Sequence, residues 1–206
     1  MIHDLSVRLV GAWHDTSWIE LTAAALALAY VPLAIGQRSS CWFAAFVSSV
    51  LYARVFFISH LYMESLLHVF FAAMAVYGFW HWQHGNAGGG ALNVTRWPVS
   101  RHALALLGVA ALAALNAFFL TRFTSAANPF IDSMVTWSSV FTTFLVARKV
   151  YENWYWWLVI DSVGLCLYFT RHLYLTMLLY GVYVILCVIG MREWRRSLPS
   201  AAYAAG

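Results

Sequence analysis

Seven unbroken apolar runs constrain this chain more than any motif in it: residues 18–36, 41–59, 61–82, 102–121, 131–150, 153–170 and 172–191. Each approaches the roughly 20 residues that a helix needs to cross a bilayer. The runs are continuous rather than alternating, so helices are indicated and barrel strands are not. Only 10% of the residues are charged and 63% are hydrophobic, whereas a soluble domain carries about 25% charged residues. A mean hydropathy of +0.71 agrees. The chain therefore reads as an all-α integral membrane protein, a single transmembrane domain over residues 1–206 with seven transmembrane helices.

The polar segments then decide orientation. His3, Asp4, Arg8, His14 and Asp15 precede the first run, so no cleaved signal peptide is expected. On one side lie Arg8, Arg122 and Arg171; on the other lie Arg38, Arg96, Arg101, Arg148, Lys149, Arg192, Arg195 and Arg196. The positive-inside rule places the C-terminus in the cytoplasm and the N-terminus outside. The sequence pI of about 9.1 thus speaks of topology, and no nucleic-acid partner is expected. The loop from His84 to Arg101, with Gly85, Gly88, Gly89, Gly90 and Pro98, has linker chemistry. It lacks the Lys and the strand–helix context of a phosphate loop. Cys41, Cys166 and Cys187 show no CxxC spacing and read as small, buried apolar residues.

Sliding the chain by 112 residues reveals self-similarity. Ile19-Glu20 falls on Ile131-Asp132, Trp42 on Trp154, His60-Leu61-Tyr62 on His172-Leu173-Tyr174, Leu66-Leu67 on Leu178-Leu179, Gly78 on Gly190 and Trp82 on Trp194. The chain reads as repeat one (18–82), a linker helix (102–121) and repeat two (130–194). One helix between two three-helix halves makes the repeats parallel. Parallel repeats are a transporter plan, with substrate held near the midplane.

The candidate site begins at Asn153-Trp154-Tyr155-Trp156-Trp157. Trp154, Trp157 and Asp161 are spaced i, i+3 and i+7, so they share a helix face that Tyr168 continues. Trp at a span's end is also the ordinary aromatic belt, but a belt has no use for a carboxylate seven residues deeper. A carboxylate within a span is costly and is by default a functional group; indoles beside it suit a flat or cationic ring. The repeat partners of this face are Trp42, Ala45 and Ser49, candidates for an opposite wall or, for the two small residues, for close helix packing. Glu64 and His68 share a face at i and i+4, with Thr176 and Tyr180 as their repeat partners. Glu64 either snorkels to the surface, stays neutral, attracts cations or pairs with Arg54. His68 is either a satisfied core histidine or a donor and acceptor for substrate. Arg54 itself needs a partner, Glu64 or Asp161. No HExxH, GxSxG or paired-carboxylate pattern gives enzyme chemistry an anchor, and His81, His84 and His102 read as solvated loop residues. No cofactor or metal is expected.

The run Glu152-Asn153-Trp154-Tyr155-Trp156-Trp157-Leu158-Val159-Ile160-Asp161, then Leu173-Tyr174-Leu175-Thr176 and Gly190 to Trp194, resembles the PnuC family of bacterial vitamin transporters. Leu66 to Trp82, ending Tyr77-Gly78-Phe79-Trp80-His81-Trp82, and the entry Ser17-Trp18-Ile19-Glu20 resemble it too. The resemblance spans about residues 17–196. It implies a 3+1+3 fold like a full-length SWEET transporter, a homotrimer in the bacterial inner membrane, and uptake of nicotinamide riboside, an NAD precursor, by facilitated diffusion. Retention would follow from a cytoplasmic kinase that phosphorylates the vitamin without having to touch the transporter. Trp154 and Trp157 match the family's W-x-x-W element, expected at the substrate. Two positions depart: Asp161 stands where nicotinamide riboside transporters often carry Asn, and His68 where they often carry Gln. The family also has thiamine (PnuT) and riboflavin (PnuX) branches. Asp161 suits either cation, nicotinamide riboside or thiamine, and argues against neutral riboflavin; a proton-coupled transporter is the further alternative.

Overall fold

The computed structural model describes residues 18–86, 89–123, 128–170 and 174–198. Ser17, Arg8, Arg171, His172 and Leu173, on which parts of the orientation, resemblance and repeat rest, lie outside the described residues, as do the others before Trp18. Seven helices are described: α1 (Trp18–Ile35), α2 (Ser40–Ile58), α3 (Tyr62–His84), α4 (Val99–Phe123), α5 (Pro129–Ala147), α6 (Asn153–Thr170) and α7 (Tyr174–Arg196). Six of them are long and apolar enough to cross a membrane. The exception is α6, whose 18 residues suffice in length; Asn153, its three Trp residues and Asp161 dilute its apolarity. Large apolar side chains face outward along the helices, Leu104 at 71% exposure among them, as expected where the surroundings are hydrocarbon. Small residues fill the contacts between helices instead.

The chain divides into two compact units between Val76 and Tyr77. In the first, α1 and α2 pack as a hairpin with Ala23 and Ala44 buried, and the buried Ser48 hydroxyl donates across it to the Ala23 carbonyl at 2.8 Å. The start of α3 meets α2 through Ser65, whose hydroxyl donates to the Ala53 carbonyl at 2.8 Å. Arg54 and Glu64 are both exposed, and no ion pair joins them among the described residues.

The second unit packs α4 on α5, α5 on α6 and α6 on α7. Val109, Ala113 and Ala117 form the buried stripe of α4, and Asn116 Nδ2 donates to Ser133 Oγ of α5 at 3.1 Å. The glycine-containing loop, expected to be a spacer, is folded onto the α5–α6 corner. Thr95 N–H donates to the Lys149 carbonyl at 3.0 Å and Tyr151 N–H to the Thr95 carbonyl at 2.8 Å, a short parallel bridge. Val94 and Val150 are buried beneath it, while Lys149 Nζ donates to the Leu92 carbonyl at 2.9 Å and lies 4.6 Å from the centre of a Trp82 ring.

One departure from the expected boundaries has a clear backbone cause. The run 131–150 stops being helical at Ala147 because Lys149 turns left-handed, with φ of 48°. Val150 N–H then reaches back to the Leu145 carbonyl at 2.9 Å and Lys149 N–H to Val146 at 2.9 Å, the Schellman cap. Gln37 does the same after α1, with φ of 52° and Arg38 N–H on the Leu33 carbonyl at 3.0 Å. Both residues are non-glycine, which is uncommon in that region. Gln37 plus 112 is Lys149, and Leu33 plus 112 is Leu145. Helix bounds recur at the same interval: α3, shifted by 112, spans 174–196, the bounds of α7, and α1 and α2 fall within one residue of α5 and α6.

Candidate substrate site

The polypeptide enters α6 through Glu152 and Asn153, both buried. Glu152 collects donors from the folded loop: Arg96 Nε at 2.9 Å and Trp97 N–H at 3.1 Å, with His102 Nε2 at 3.8 Å. Asn153 is 0% exposed and donates from Nδ2 to the Val150 carbonyl at 2.7 Å, so it closes the corner from which α6 starts. Before it, burial first and a hydrogen bond with Tyr155 second push the Tyr151 phenol up from 10.0 to about 12. The two hydroxyls are 3.5 Å apart.

Trp154 is 3% exposed and lies flat against α7. A Cβ on Gly190 would stand 2.6 Å from three atoms of its indole, so the absence of a side chain there makes room for the ring. Trp194 meets Trp154 edge-on at 5.5 Å and Trp82 at 6.1 Å, giving a row of three indoles. Trp154 Nε1 has no hydrogen-bond partner among the described residues. Trp156 leaves this group: it packs edge-on against Phe141 at 5.0 Å and donates to His102 Nδ1 at 3.2 Å. Trp157 is half-buried, one turn closer to Asp161.

Asp161 is 7% exposed. Among the described residues the hydrogen bond to its carboxylate comes from the Cys187 thiol of α7, 3.4 Å from Oδ2. Next along α6 comes Gly164, where a Cβ would overlap the Tyr180 ring of α7. Tyr180 also packs against Tyr168, with ring centres 5.0 Å apart, and against Tyr183 at 5.9 Å. Asp161, Gly164 and Tyr168 therefore line up on one helix, facing Tyr180 and Cys187 on the other. Thr176 is half-buried, one turn before Tyr180.

The remaining candidates belong to the first unit. Trp42 is buried and meets Tyr30 edge-on at 6.0 Å. His68 packs against Tyr52 at 5.3 Å and Phe56 at 5.0 Å. Its Nδ1 lies 3.0 Å from the Glu64 carbonyl, which can only accept; the proton is therefore on Nδ1 and leaves Nε2 as an acceptor. Glu64 itself is exposed. Sequence reasoning overlooked Cys187, read as apolar filler, and Gly164. Thr176, Tyr180, Tyr183 and Cys187, spaced 4, 3 and 4 apart, form one helical stripe, a signal that was available. Cys166, also expected to be buried, is exposed. His81, His84 and His102 belong to no metal-binding group among the described residues.

Apolar helices with outward-facing hydrophobic surfaces, and a carboxylate kept between two of them beside packed tyrosines, define a multi-pass membrane protein. The comparisons with known proteins are specific. The family model described as nicotinamide mononucleotide transporter matches residues 17–196, and the chain belongs to this family of membrane transporters. The nicotinamide riboside transporter PnuC of Escherichia coli (strain K12) is similar at 27% identity over 209 residues, 89% of this chain and 87% of its own length. The riboflavin/roseoflavin transporter RibM of Streptomyces davaonensis is 26% identical over 183 residues, 86% of this chain and 84% of its own. In fold, the chain is similar to the crystal structure of the vitamin B3 transporter PnuC, with a TM-score of 0.69 at 18% identity, covering 97% of this chain and 88% of that one.

Proposed function

We propose that this protein takes up nicotinamide riboside, with the strip between α6 and α7 contacting the substrate. The observation that carries this reading is Asp161, a buried carboxylate within a helix of a membrane transporter, met among the described residues by the Cys187 thiol. A charged carboxylate at the middle of a membrane helix costs about 2.5–3.5 kcal/mol, and a positively charged ring beside it offsets that cost. Trp157 supplies an aromatic face one turn away, and Tyr168, Tyr180 and Thr176 supply hydroxyls along the strip. Trp154 and Asn153 are proposed to hold the strip's upper end in shape. Trp42, Glu64 and His68 are the first unit's proposed substrate contacts. The same carboxylate favours a second reading, thiamine, which is also a flat cation. The relatives' names, nicotinamide riboside in one and riboflavin in the other, are consistent with a family whose substrate varies.

The finer architecture we propose is the 3+1+3 arrangement of parallel repeats. The recurring caps and helix bounds support it, and so does the contact of Trp82 with Trp194, because a residue that touches its own repeat counterpart lies at the axis relating the two. Transport is facilitated diffusion by alternating access in a homotrimer of the inner membrane, with the N-terminus outside, the C-terminus in the cytoplasm, and trapping by downstream phosphorylation. Counterflow into liposomes that changes with pH or membrane potential would replace this with a coupled mechanism. Calorimetry of the purified protein with nicotinamide riboside, thiamine and riboflavin side by side is the deciding measurement. Trp157→Ala and Asp161→Ala are expected to abolish binding of the tightest ligand; unchanged affinity in both would place the site elsewhere.

A further inference from the structure

Arginine side chains gather at one end of the second unit, where the last turn of α7 meets the folded loop. Arg96, Tyr151, Tyr155, Arg195 and Leu198 line a cavity of about 230 Å³. The folded loop contributes Arg96, the α5–α6 corner Tyr151, the first turn of α6 Tyr155, and the last turn of α7 Arg195. Arg96 is held in place from behind: its Nε binds Glu152 at 2.9 Å, and its guanidinium carbon lies 5.7 Å from the centre of the Tyr151 ring. That bond uses one edge of a group with five N–H donors, so the outer edge of the fork remains for a ligand. Both guanidinium groups act electrostatically on the Tyr151 hydroxyl, and the Tyr155 hydroxyl is 3.5 Å from it. Glu152 is the acidic neighbour, and the Trp97 N–H already shares its carboxylate at 3.1 Å. The described lining of the cavity thus holds two guanidinium groups and no carboxylate, with hydroxyl donors beside them.

We propose that this cavity binds a phosphate group, gripped by the guanidinium groups of Arg96 and Arg195 and by the hydroxyl of Tyr155. Planar guanidinium forks match phosphate oxygens in pairs, and such charge-assisted bonds are the strong ones. The position, at the end of a membrane helix among interfacial Trp and Tyr side chains, fits the headgroup of an anionic lipid. A phosphorylated solute presents the same oxygens. The site is independent of which vitamin the α6–α7 strip accepts.

The test uses the full-length protein purified in detergent, with two probes. Native mass spectrometry measures retention of phosphatidylglycerol against phosphatidylcholine, and thermal unfolding is followed with inorganic phosphate against chloride at equal ionic strength. Arg195→Gln and Tyr155→Phe each leave the Arg96–Glu152 pair intact, and each is expected to weaken binding about tenfold, the weight of one charge-assisted hydrogen bond. Arg195→Lys, which keeps the charge, should recover part of the loss. Preferential retention of phosphatidylglycerol alone identifies a lipid headgroup; stabilisation by phosphate alone identifies a soluble ligand. If neither probe binds, or if binding is equal in wild type, Arg195→Gln and Tyr155→Phe, the proposal is overturned.

Discussion

Replacing Gly190 by Ala tests how tightly the start of the W-x-x-W element is seated. The added Cβ would stand 2.6 Å from Cε2, Cζ2 and Cη2 of Trp154. Carbon atoms prefer about 3.5–4.0 Å, so the indole must retreat by roughly 1 Å. It cannot do so freely, because Trp154, Trp194 and Trp82 are all buried and pack in series. Overpacking of this kind costs about 1–3 kcal/mol, and the helix preference for Ala over Gly returns at most about 1 kcal/mol. Set against the full return, the net loss is about 0–2 kcal/mol, or up to about 8 °C in unfolding midpoint for a chain of this length. Gly181→Ala on the same helix is the matched control: its nearest neighbour, Leu165 Cδ1, is at 3.7 Å, an ordinary contact, so that variant should be neutral or slightly stabilised. Intrinsic tryptophan fluorescence during heating in detergent reads all of these. Trp154→Phe withdraws the three crowded atoms, so Gly190→Ala added to it should cost about 1 kcal/mol less than in the wild type. A Gly190→Ala protein that melts with or above Gly181→Ala would refute the packing argument.

Other expectations follow from the polar groups. Glu152→Gln leaves one acceptor oxygen for two donors, Arg96 Nε and Trp97 N–H, and should lower stability by about 1–3 kcal/mol; a double-mutant cycle with Arg96→Gln should show strong coupling. Asp161→Asn removes charge from within a membrane helix, so the unfolding midpoint should rise while affinity for a cationic vitamin falls at least tenfold; a fall in both would point to a structural role for the carboxylate. Tyr151 binds its proton more tightly when folded, up to about 12 against 10.0. Its contribution to stability is therefore complete below pH 10 and is lost between pH 10 and 12. Tyr151→Phe should flatten that part of the stability–pH curve, and an unchanged curve would show that the phenol does not cause it.

Much of the fold was legible because hydrocarbon leaves a chain few choices: a long apolar run has to satisfy its own backbone, and a helix does so. The ends were less legible. Lys149 and Gln37 adopt a conformation that glycine usually marks, so nothing in the residue type announced the caps after α5 and α1. The glycine loop read as a spacer because its pairing with Val150 is remote in sequence and only one residue long. Helical spacing put Trp154, Trp157 and Asp161 along one side of α6, and of these the structure turns Trp154 and Asp161 against α7. Spacing carries no information about the neighbouring helix, however, so it missed that Gly190 receives Trp154 as packing while Cys187 answers Asp161. The partner stripe on α7 was readable from its own periodicity, but its cysteine resembled ordinary apolar filler.

The strap formed by the loop and the α5–α6 corner also bears on how the protein is made. Trp97 meets Glu152, a residue 55 positions further along, so the strap cannot close until that residue has been synthesised. At about 5–20 residues per second this is a delay of roughly 3–11 s, during which α4 and α5 must enter the membrane as a pair. Until then the Arg96 guanidinium and the Trp97 amide lack the carboxylate that holds them. A ribosome that pauses before Glu152 would hold the nascent chain in this open form, a hairpin whose latch has not yet been translated.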